Sequence, residues 1–172
     1  MKRDNRGFSY LELVVVITII AVMAMMVTIS VGTLNRNEVL RTSEKLETMV
    51  NKARVNAMAK GSALYGGGGT GWINIAEYGG AYYASVGKRS TDPEDVKKNG
   101  EKIGSAKLSI YVAGKRVGDD AFGDGDLVRH LGFKQSTGGI FAGAGTCSFL
   151  VKNDKMSTVF TVNGTTGRIT RD

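Results

Sequence analysis

Glu12 is a single carboxylate at the front of a long apolar stretch. Residues 13–31 follow it without one charged side chain. An acidic side chain near a helix amino terminus complements the helix dipole, but this contributes only about 0.3–1 kcal/mol. That gain is small beside the cost of holding a charge against apolar surroundings. We therefore expect Glu12 to have a partner of positive charge.

A second group of carboxylates crowds into one glycine-containing segment, at Asp119, Asp120, Asp124 and Asp126. Carboxylate oxygens at this density are ligands that Ca²⁺ accepts in proteins. Their spacing fits no EF-hand, however. A solvated turn is therefore the favoured interpretation, with a Ca²⁺ site as the alternative, and no cofactor is expected.

The other candidates for chemistry are single residues. His130 is the only histidine, and no Ser-His-acid or histidine-metal cluster can be built around it from the sequence, which favours a structural or surface role. Cys147 is the only cysteine, so a disulfide within the chain is excluded. Cys147 alternates with Phe149 and Val151, which predicts a buried strand position. The glycine-rich run 66–71 lacks the Gly-Lys-Ser/Thr of a phosphate-binding loop and is interpreted as a connector. The sequence predicts that the chain is not an enzyme.

These residues are carried first by one long predicted helix, from Phe8 to Lys60, which contains no proline. Its front half, residues 8–31, is apolar and long enough to cross a hydrocarbon core of about 30 Å. Its back half, residues 32–61, is amphipathic, because apolar residues recur at three- and four-residue steps. The pattern predicts a membrane half followed by a half that packs against a domain.

Residues 62–172 are predicted to form a β-rich globular domain behind the glycine-rich connector. Residues 90–102 are polar and are predicted to be an exposed loop. Asn163-Gly164 predicts a hairpin turn that leads to a last strand near Ile169. Earlier strand signals lie at 107–112, 127–133, 147–151 and 158–162. The predicted fold class is α+β, with one long N-terminal helix packed on a C-terminal antiparallel sheet.

The amino terminus combines a short basic leader, residues 1–7, a Gly7-Phe8 junction, and a glutamate at the fifth position after it, Glu12. In these features it resembles the prepilin signal of type IV pilins and type II secretion pseudopilins. The resemblance implies cleavage after Gly7 and N-methylation of Phe8. The new amine of Phe8 would then be the partner of Glu12, with pairing between subunits favoured over pairing within one helix.

Two later stretches extend this resemblance. Residues 46–60 contain Ala53-Arg54 followed by Ala57, and the carboxy-terminal part contains Gly138-Gly139 and Gly167-Arg168. These are similar to the helix end and the closing sheet of the H-type minor pseudopilins and FimT-type minor pilins. The chain lacks the carboxy-terminal disulfide and the helix proline of major pilins, so the resemblance implies a minor subunit.

The resemblance implies a structural subunit of a type IV pilus or a type II secretion-type filament, assembled through its N-terminal helix. The implied partners are other pilins or pseudopilins, prepilin peptidase, an inner-membrane assembly platform, and membrane lipid before assembly. The implied location is the inner membrane, crossed once with the globular domain outside the cytoplasm, and then the pilus or pseudopilus. A major pilus subunit, a DNA-uptake pilin and a membrane-anchored enzyme are the alternatives. The net charge of +7 is dispersed along the chain, so nucleic acid is not expected as a partner.

Overall fold

A computed structural model of the chain describes residues 9–60, 69–105, 107–118, 128–141 and 145–171, apart from the side chains of 26–35. The chain forms two compact units, Met1–Arg36 and Asn37–Asp172. The described residues contain two helices and nine strands, which make the chain a mixed α+β protein.

The first helix, α1, runs over Tyr10–Lys60. Within the second unit it is amphipathic, because Leu46, Val50 and Ala53 are fully buried whereas Lys45 and Lys52 are exposed. Three- and four-residue spacing places the buried side chains on one face of the helix. This face supplies one wall of the main core.

Two antiparallel sheets make up most of the second unit. The strands in chain order are β1 Trp72–Tyr78, β2 Ala81–Gly87, β3 Glu101–Ser105, β4 Ser109–Val112, β5 Lys115–Arg116, β6 Val128–Gly132, β7 Cys147–Lys152, β8 Ser157–Val162 and β9 Ile169–Arg171. The first sheet has the order β3-β2-β1-β6, and the second has the order β5-β4-β7-β8-β9. A second helix, α2, covers Pro93–Asn99 between β2 and β3 along the chain.

The main core draws on α1 and on both sheets. In β7 the buried positions alternate, with Cys147, Phe149 and Val151 turned inward. Phe149 stacks on Phe160 of β8, with ring centroids 4.7 Å apart and the rings nearly parallel at 4°. The predicted buried strand position of Cys147 is confirmed.

Helix α2 covers the other face of the first sheet. Its Val96 packs in a separate small core with Ala76 of β1 and Val128 of β6, while Ile73 and Ile75 of β1 belong to the main core. Successive strand residues point to opposite faces, so α2 and the main core lie on opposite sides of β1. The strand is therefore buried on both faces over most of its length.

The back half of α1 also closes the open edge of β3. The Thr42 hydroxyl donates a hydrogen bond to the carbonyl oxygen of Ile103 at 3.0 Å. The ammonium group of Lys45 donates to the carbonyl oxygen of Lys102 at 3.2 Å. Backbone groups at a sheet edge otherwise offer a template for another strand, and here helix side chains occupy two of them.

The predicted membrane half is corrected by the structure. Among the described residues, no helix combines the length and the apolar character that a membrane crossing requires. The prediction of a spanning half at 8–31, and with it that of a single-pass inner-membrane protein, is therefore wrong.

The predicted single sheet is also wrong, because the strands divide between two sheets. The segment after the glycine-rich connector was not predicted to contain strands, yet 72–87 form the hairpin β1-β2. This hairpin pairs with β3 on one side and with β6 on the other. It thereby holds β6 in a sheet of its own, apart from β4, β7, β8 and β9.

The predicted exposed loop at 90–102 is a third correction, since it contains α2 and the start of β3. The Asp92 carboxylate accepts a hydrogen bond from the backbone N–H of Glu94 at 2.9 Å, and Pro93 occupies the first turn. This cap satisfies a donor that a helix start otherwise leaves unpaired. The local sequence therefore favours a short helix over a loop.

Candidate functional site

The first candidate site is residues 10–25 of α1, here called the front segment. Every side chain in it is exposed, including Leu11 at 73%, Ile20 at 60% and Met25 at 73%. A helix that is apolar on all faces normally lies buried among partners. Exposed apolar surface of this extent marks an interaction site. We therefore expect the apolar surface of the front segment to be buried against a binding partner.

Glu12 lies in the first turn of α1, at the start of the front segment, and it is exposed. This position suits its predicted role, because the carboxylate is available to a group from another chain. The residues predicted for processing, Gly7 and Phe8, lie outside the described residues.

The second candidate site lies in the other unit and brings together residues that carry the family resemblance. Gly138 and Gly167 have positive φ angles of 65° each, and their backbones are in close contact. A Cβ atom at Gly167 would lie 1.9 Å from the carbonyl oxygen of Gly138 and 2.9 Å from Nε of Arg54. A Cβ atom at Gly138 would lie 2.8 Å from the same Nε. Glycine at both positions is what allows Arg54 to lie against them.

Gly139 has a similar constraint, since a Cβ atom there would lie 2.2 Å from the carbonyl oxygen of Thr165. The turn that holds Thr165 is organised by Asn163, whose side-chain oxygen accepts hydrogen bonds from the backbone N–H of Thr165 at 2.9 Å and of Thr166 at 3.0 Å. The turn joins β8 to β9, as the hairpin prediction required, but the left-handed residue is Gly167 rather than Gly164. We call Gly138, Gly139 and Gly167 the glycine junction.

A groove of about 510 Å³ opens beside the glycine junction, between α1 and β9. We call it the arginine groove, and its lining includes Glu44, Glu47, Arg54, Arg168, Ile169 and Arg171. One guanidinium donates to a carboxylate within it, from Nη2 of Arg171 to Oε2 of Glu47 at 2.6 Å. Glu44 approaches the same guanidinium at 4.0 Å. These contacts tie the last strand to α1.

The other two guanidiniums of the groove are in a different situation. Nε of Arg54 is buried without a hydrogen-bond partner. Within the described part of the chain, neither the Arg54 nor the Arg168 side chain takes part in a hydrogen bond or an ion pair. Buried polar groups nearly always have partners in native proteins. Arg168 is exposed, so among these two side chains the unmet hydrogen-bonding group within the described residues is the buried Nε of Arg54.

His130 and Cys147, the isolated candidates for chemistry, have packing roles. His130 lies in β6 and packs edge-to-face on Trp72, with ring centroids 5.8 Å apart. Burial raises the pKa of the Cys147 thiol from its ordinary value of 9.0 to about 11. The thiol is therefore protonated at neutral pH, and a protonated thiol is a poor nucleophile.

The four aspartates considered for Ca²⁺, Asp119, Asp120, Asp124 and Asp126, lie outside the described residues. Among the residues that are described, no three His, Cys, Asp or Glu side chains group together in a way that could hold a metal ion.

A buried polar cluster escaped the sequence analysis. The side chain of Tyr82 in β2 is fully buried, and burial raises the pKa of its hydroxyl. Arg116 of β5 opposes this rise, while Glu77 of β1 adds to it. The three residues come from strands of both sheets, and the Tyr82 hydroxyl has no hydrogen-bond partner among the described residues. No sequence signal marks it, because Arg116 lies more than thirty residues from Glu77 and Tyr82 along the chain.

Comparison with known proteins gives no relative: no family model, no curated protein and no solved structure matches this chain.

Proposed function

We propose that the chain is a structural subunit of a filament of the type IV pilus or type II secretion kind, and a minor rather than a major subunit. The observation that carries the proposal is the front segment, which is apolar on every face, exposed along its whole length, and led by Glu12. The front segments of neighbouring subunits cover one another, and the globular units remain outside the helical bundle.

The amino-terminal residues support the same proposal. Prepilin peptidase removes residues 1–7, and the new amine of Phe8 is cationic at neutral pH. The Glu12 carboxylate of a neighbouring subunit pairs with this amine inside the apolar bundle. A charge pair in such surroundings fixes the register between helices, because removing one partner leaves the other buried and uncompensated.

The glycine junction supports the assignment to the minor branch. Arg54, Gly138 and Gly167 come from three separate stretches that resemble H-type minor pseudopilins and FimT-type minor pilins. In the folded chain these residues are in contact. Motif residues that converge in space share one structural task, here the attachment of the closing sheet to α1.

The test compares Glu12→Gln with wild type in cells that supply the other pilins and prepilin peptidase. The variant keeps the shape of the side chain but removes its charge. Breaking one half of a buried pair costs about 3–5 kcal/mol, so we expect the protein recovered in filaments to fall at least tenfold. Leader cleavage, measured by mass spectrometry of the mature terminus, remains normal.

Glu101→Gln is the matched control, because Glu101 is exposed and forms only a surface ion pair, 3.7 Å from Lys45. Its filament content stays at the wild-type level. A wild-type chain that keeps Met1 to Gly7, or that never enters filaments, would show that the proposed function is wrong.

A further inference from the structure

We infer that the arginine groove of one copy receives the acidic first turn of α2 from a neighbouring copy. This inference rests on the proposed filament function. The acidic turn consists of Asp92, Glu94 and Asp95, all of them exposed. The contact is a second one, made between globular units, in addition to the contact between front segments.

First, the arginine groove contains guanidinium groups that lack a hydrogen-bond acceptor among the described residues. Arg54 and Arg168 line it without an acceptor among the described residues, and Nε of Arg54 is buried. A guanidinium presents several N–H donors in a fixed plane that matches a carboxylate. The glycine junction keeps Arg54 in place from behind, because a side chain at Gly138 or Gly167 would occupy its position. The site is therefore built before any ligand arrives.

The second step selects a carboxylate as the ligand. The groove already holds one, since Glu47 accepts from Arg171 at 2.6 Å, which shows that the space suits this geometry. Glu44 and Glu47 also line the same groove. A phosphate backbone carries closely spaced negative charges, and these two carboxylates would repel it. A protein carboxylate is repelled as well, but it brings fewer negative charges than a run of phosphates, so the repulsion is smaller.

Third, helix α2 supplies the carboxylates that accept from these guanidiniums. Three exposed carboxylates within four residues make its first turn acidic, ahead of Lys97 and Lys98 in the last turn. Hydrogen bonds within the chain orient them, because Asp92 accepts from the backbone N–H of Glu94 at 2.9 Å and Asp95 accepts from Nδ2 of Asn99 at 2.6 Å. The Tyr78 hydroxyl donates to Glu94 at 2.7 Å, and the buried Val96 anchors the helix to the first sheet. This anchoring holds α2 on the face of β1 that points away from the main core. It therefore cannot reach the groove of its own chain, which opens between α1 and β9.

The fourth step is the geometry of assembly. The arginine groove and the acidic turn are different surfaces of the same chain. Each copy can therefore bind one neighbour through its groove and a second neighbour through its acidic turn. Such a contact is heterologous, and heterologous contacts that do not close into a ring generate open helical chains. Charge complementarity between globular units then supports the same growth direction as the front segments. The groove thus gives the filament a polarity.

A charge-swap experiment on the full chain tests this contact in the filament assay. Arg168→Glu places like charges together, as does Asp95→Arg, and like-charge contacts at an interface are strongly unfavourable. We expect each single variant to lower the filament-bound fraction about tenfold. The double variant Arg168→Glu/Asp95→Arg restores complementarity and recovers at least half of the wild-type level. Lys155→Glu, an exposed charge outside the groove, is the matched control and assembles normally.

Folding is checked through the thermal unfolding midpoint, which stays within a few degrees of wild type in all four variants. A thiol version provides an independent measurement. Arg168→Cys and Asp95→Cys in one chain, treated with a short bismaleimide, yield a ladder of multimers, whereas each single variant yields dimers at most. Cys147 does not interfere, because its thiol is buried.

The outcomes separate this inference from the proposed function. If Glu12→Gln blocks assembly while Arg168→Glu enters filaments like wild type, the groove contact is wrong and the filament function stands. The contact is equally wrong if the double variant is no better than the single ones. Loss of salt-sensitive DNA binding in Arg168→Glu, with normal assembly, would reassign the groove to phosphate. A wild-type chain absent from filaments would remove both proposals.

Discussion

Gly167 lies so close to Gly138 that a Cβ atom on the first would be 1.9 Å from the carbonyl oxygen of the second. We expect Gly167→Ala to destabilise the second unit by about 3 kcal/mol, because a left-handed conformation and a steric overlap act together. Urea unfolding followed by circular dichroism measures the loss. Gly145→Ala is the control, since a Cβ atom at Gly145 has no neighbour within 4 Å, and a change under 0.5 kcal/mol is expected there. Equal stability of the two variants would contradict the packing described at the glycine junction.

Ala113 has a φ angle of 51° in the turn between β4 and β5. A residue with a Cβ atom loses about 1–2 kcal/mol in this conformation, whereas glycine does not. Glycine also adds freedom to the unfolded chain, so we expect Ala113→Gly to stabilise the fold by a net of about 0.5–1 kcal/mol. The midpoint of thermal unfolding reports the gain.

The adjacent Gly114, with a φ angle of 81° and no atom within 4 Å of a built Cβ, provides the opposite test. Gly114→Ala introduces the same backbone strain without any steric overlap. It lowers the unfolding midpoint where Ala113→Gly raises it. Changes of the same sign in both variants would mean that the turn has a different conformation.

Asn74 is a buried hub that connects β1 to the chain entering α2. Its Nδ2 donates to Oγ of Ser85 at 3.2 Å and to the carbonyl oxygen of Lys88 at 2.9 Å, and its Oδ1 accepts from the backbone N–H of Ser90 at 3.0 Å. Asn74→Ala leaves these groups unpaired, which costs about 2–3 kcal/mol. Hydrogen exchange in α2 should accelerate more than exchange in β7, because the hub supports the α2 side. Asn37→Ala, at an exposed position of α1, serves as the control and leaves both rates unchanged.

The buried thiol of Cys147 makes stability depend on pH in the alkaline range. Its pKa is 9.0 in an ordinary setting and about 11 in the fold. Between these values the unfolded chain loses a proton that the folded chain keeps, so stability falls as pH rises. The full effect is about 3 kcal/mol, complete above pH 11 and absent below pH 9.

Cys147→Ala isolates this contribution from the other groups that titrate in the same range. The free energy of unfolding of wild type and variant is measured from pH 8 to 11. The difference between the two proteins shrinks with rising pH, because only wild type carries the thiol. A constant difference would show that the thiol is ionised to the same degree in both states.

A strand can be recognised in the sequence when only one of its faces is buried, because buried and exposed residues then alternate. β7 was predicted because its outer face meets solvent, so buried and exposed residues alternate from Cys147 to Lys152. β1 was missed because α2 covers its outer face, and the alternation disappears from Trp72 to Ala76. The short helix α2 had a readable signal in Asp92-Pro93-Glu94, a cap followed by proline at the first helical position.

Of the two candidate sites, one could be recognised in the sequence and the other could not. Glu12 and the front segment are adjacent along the chain, so their pattern was visible in the sequence. The arginine groove was not visible, because Arg54 of α1 is distant along the chain from Arg168 and Arg171 and meets them only in the folded second unit. The resemblance did single out Arg54, Gly138 and Gly167, but nothing in their spacing indicated that they touch.

The hydrogen bonds from Thr42 and Lys45 to β3 have a consequence for aggregation of the chain. An uncovered strand edge can pair with a strand of another chain, and strand addition leads to amyloid-like aggregates. The α1 side chains cover the β3 edge only while the back half of the helix is docked. A subunit whose helix detaches, or is clipped by a protease near Lys45, becomes a seed for aggregation. Docking of the helix therefore protects this edge of the first sheet from strand addition.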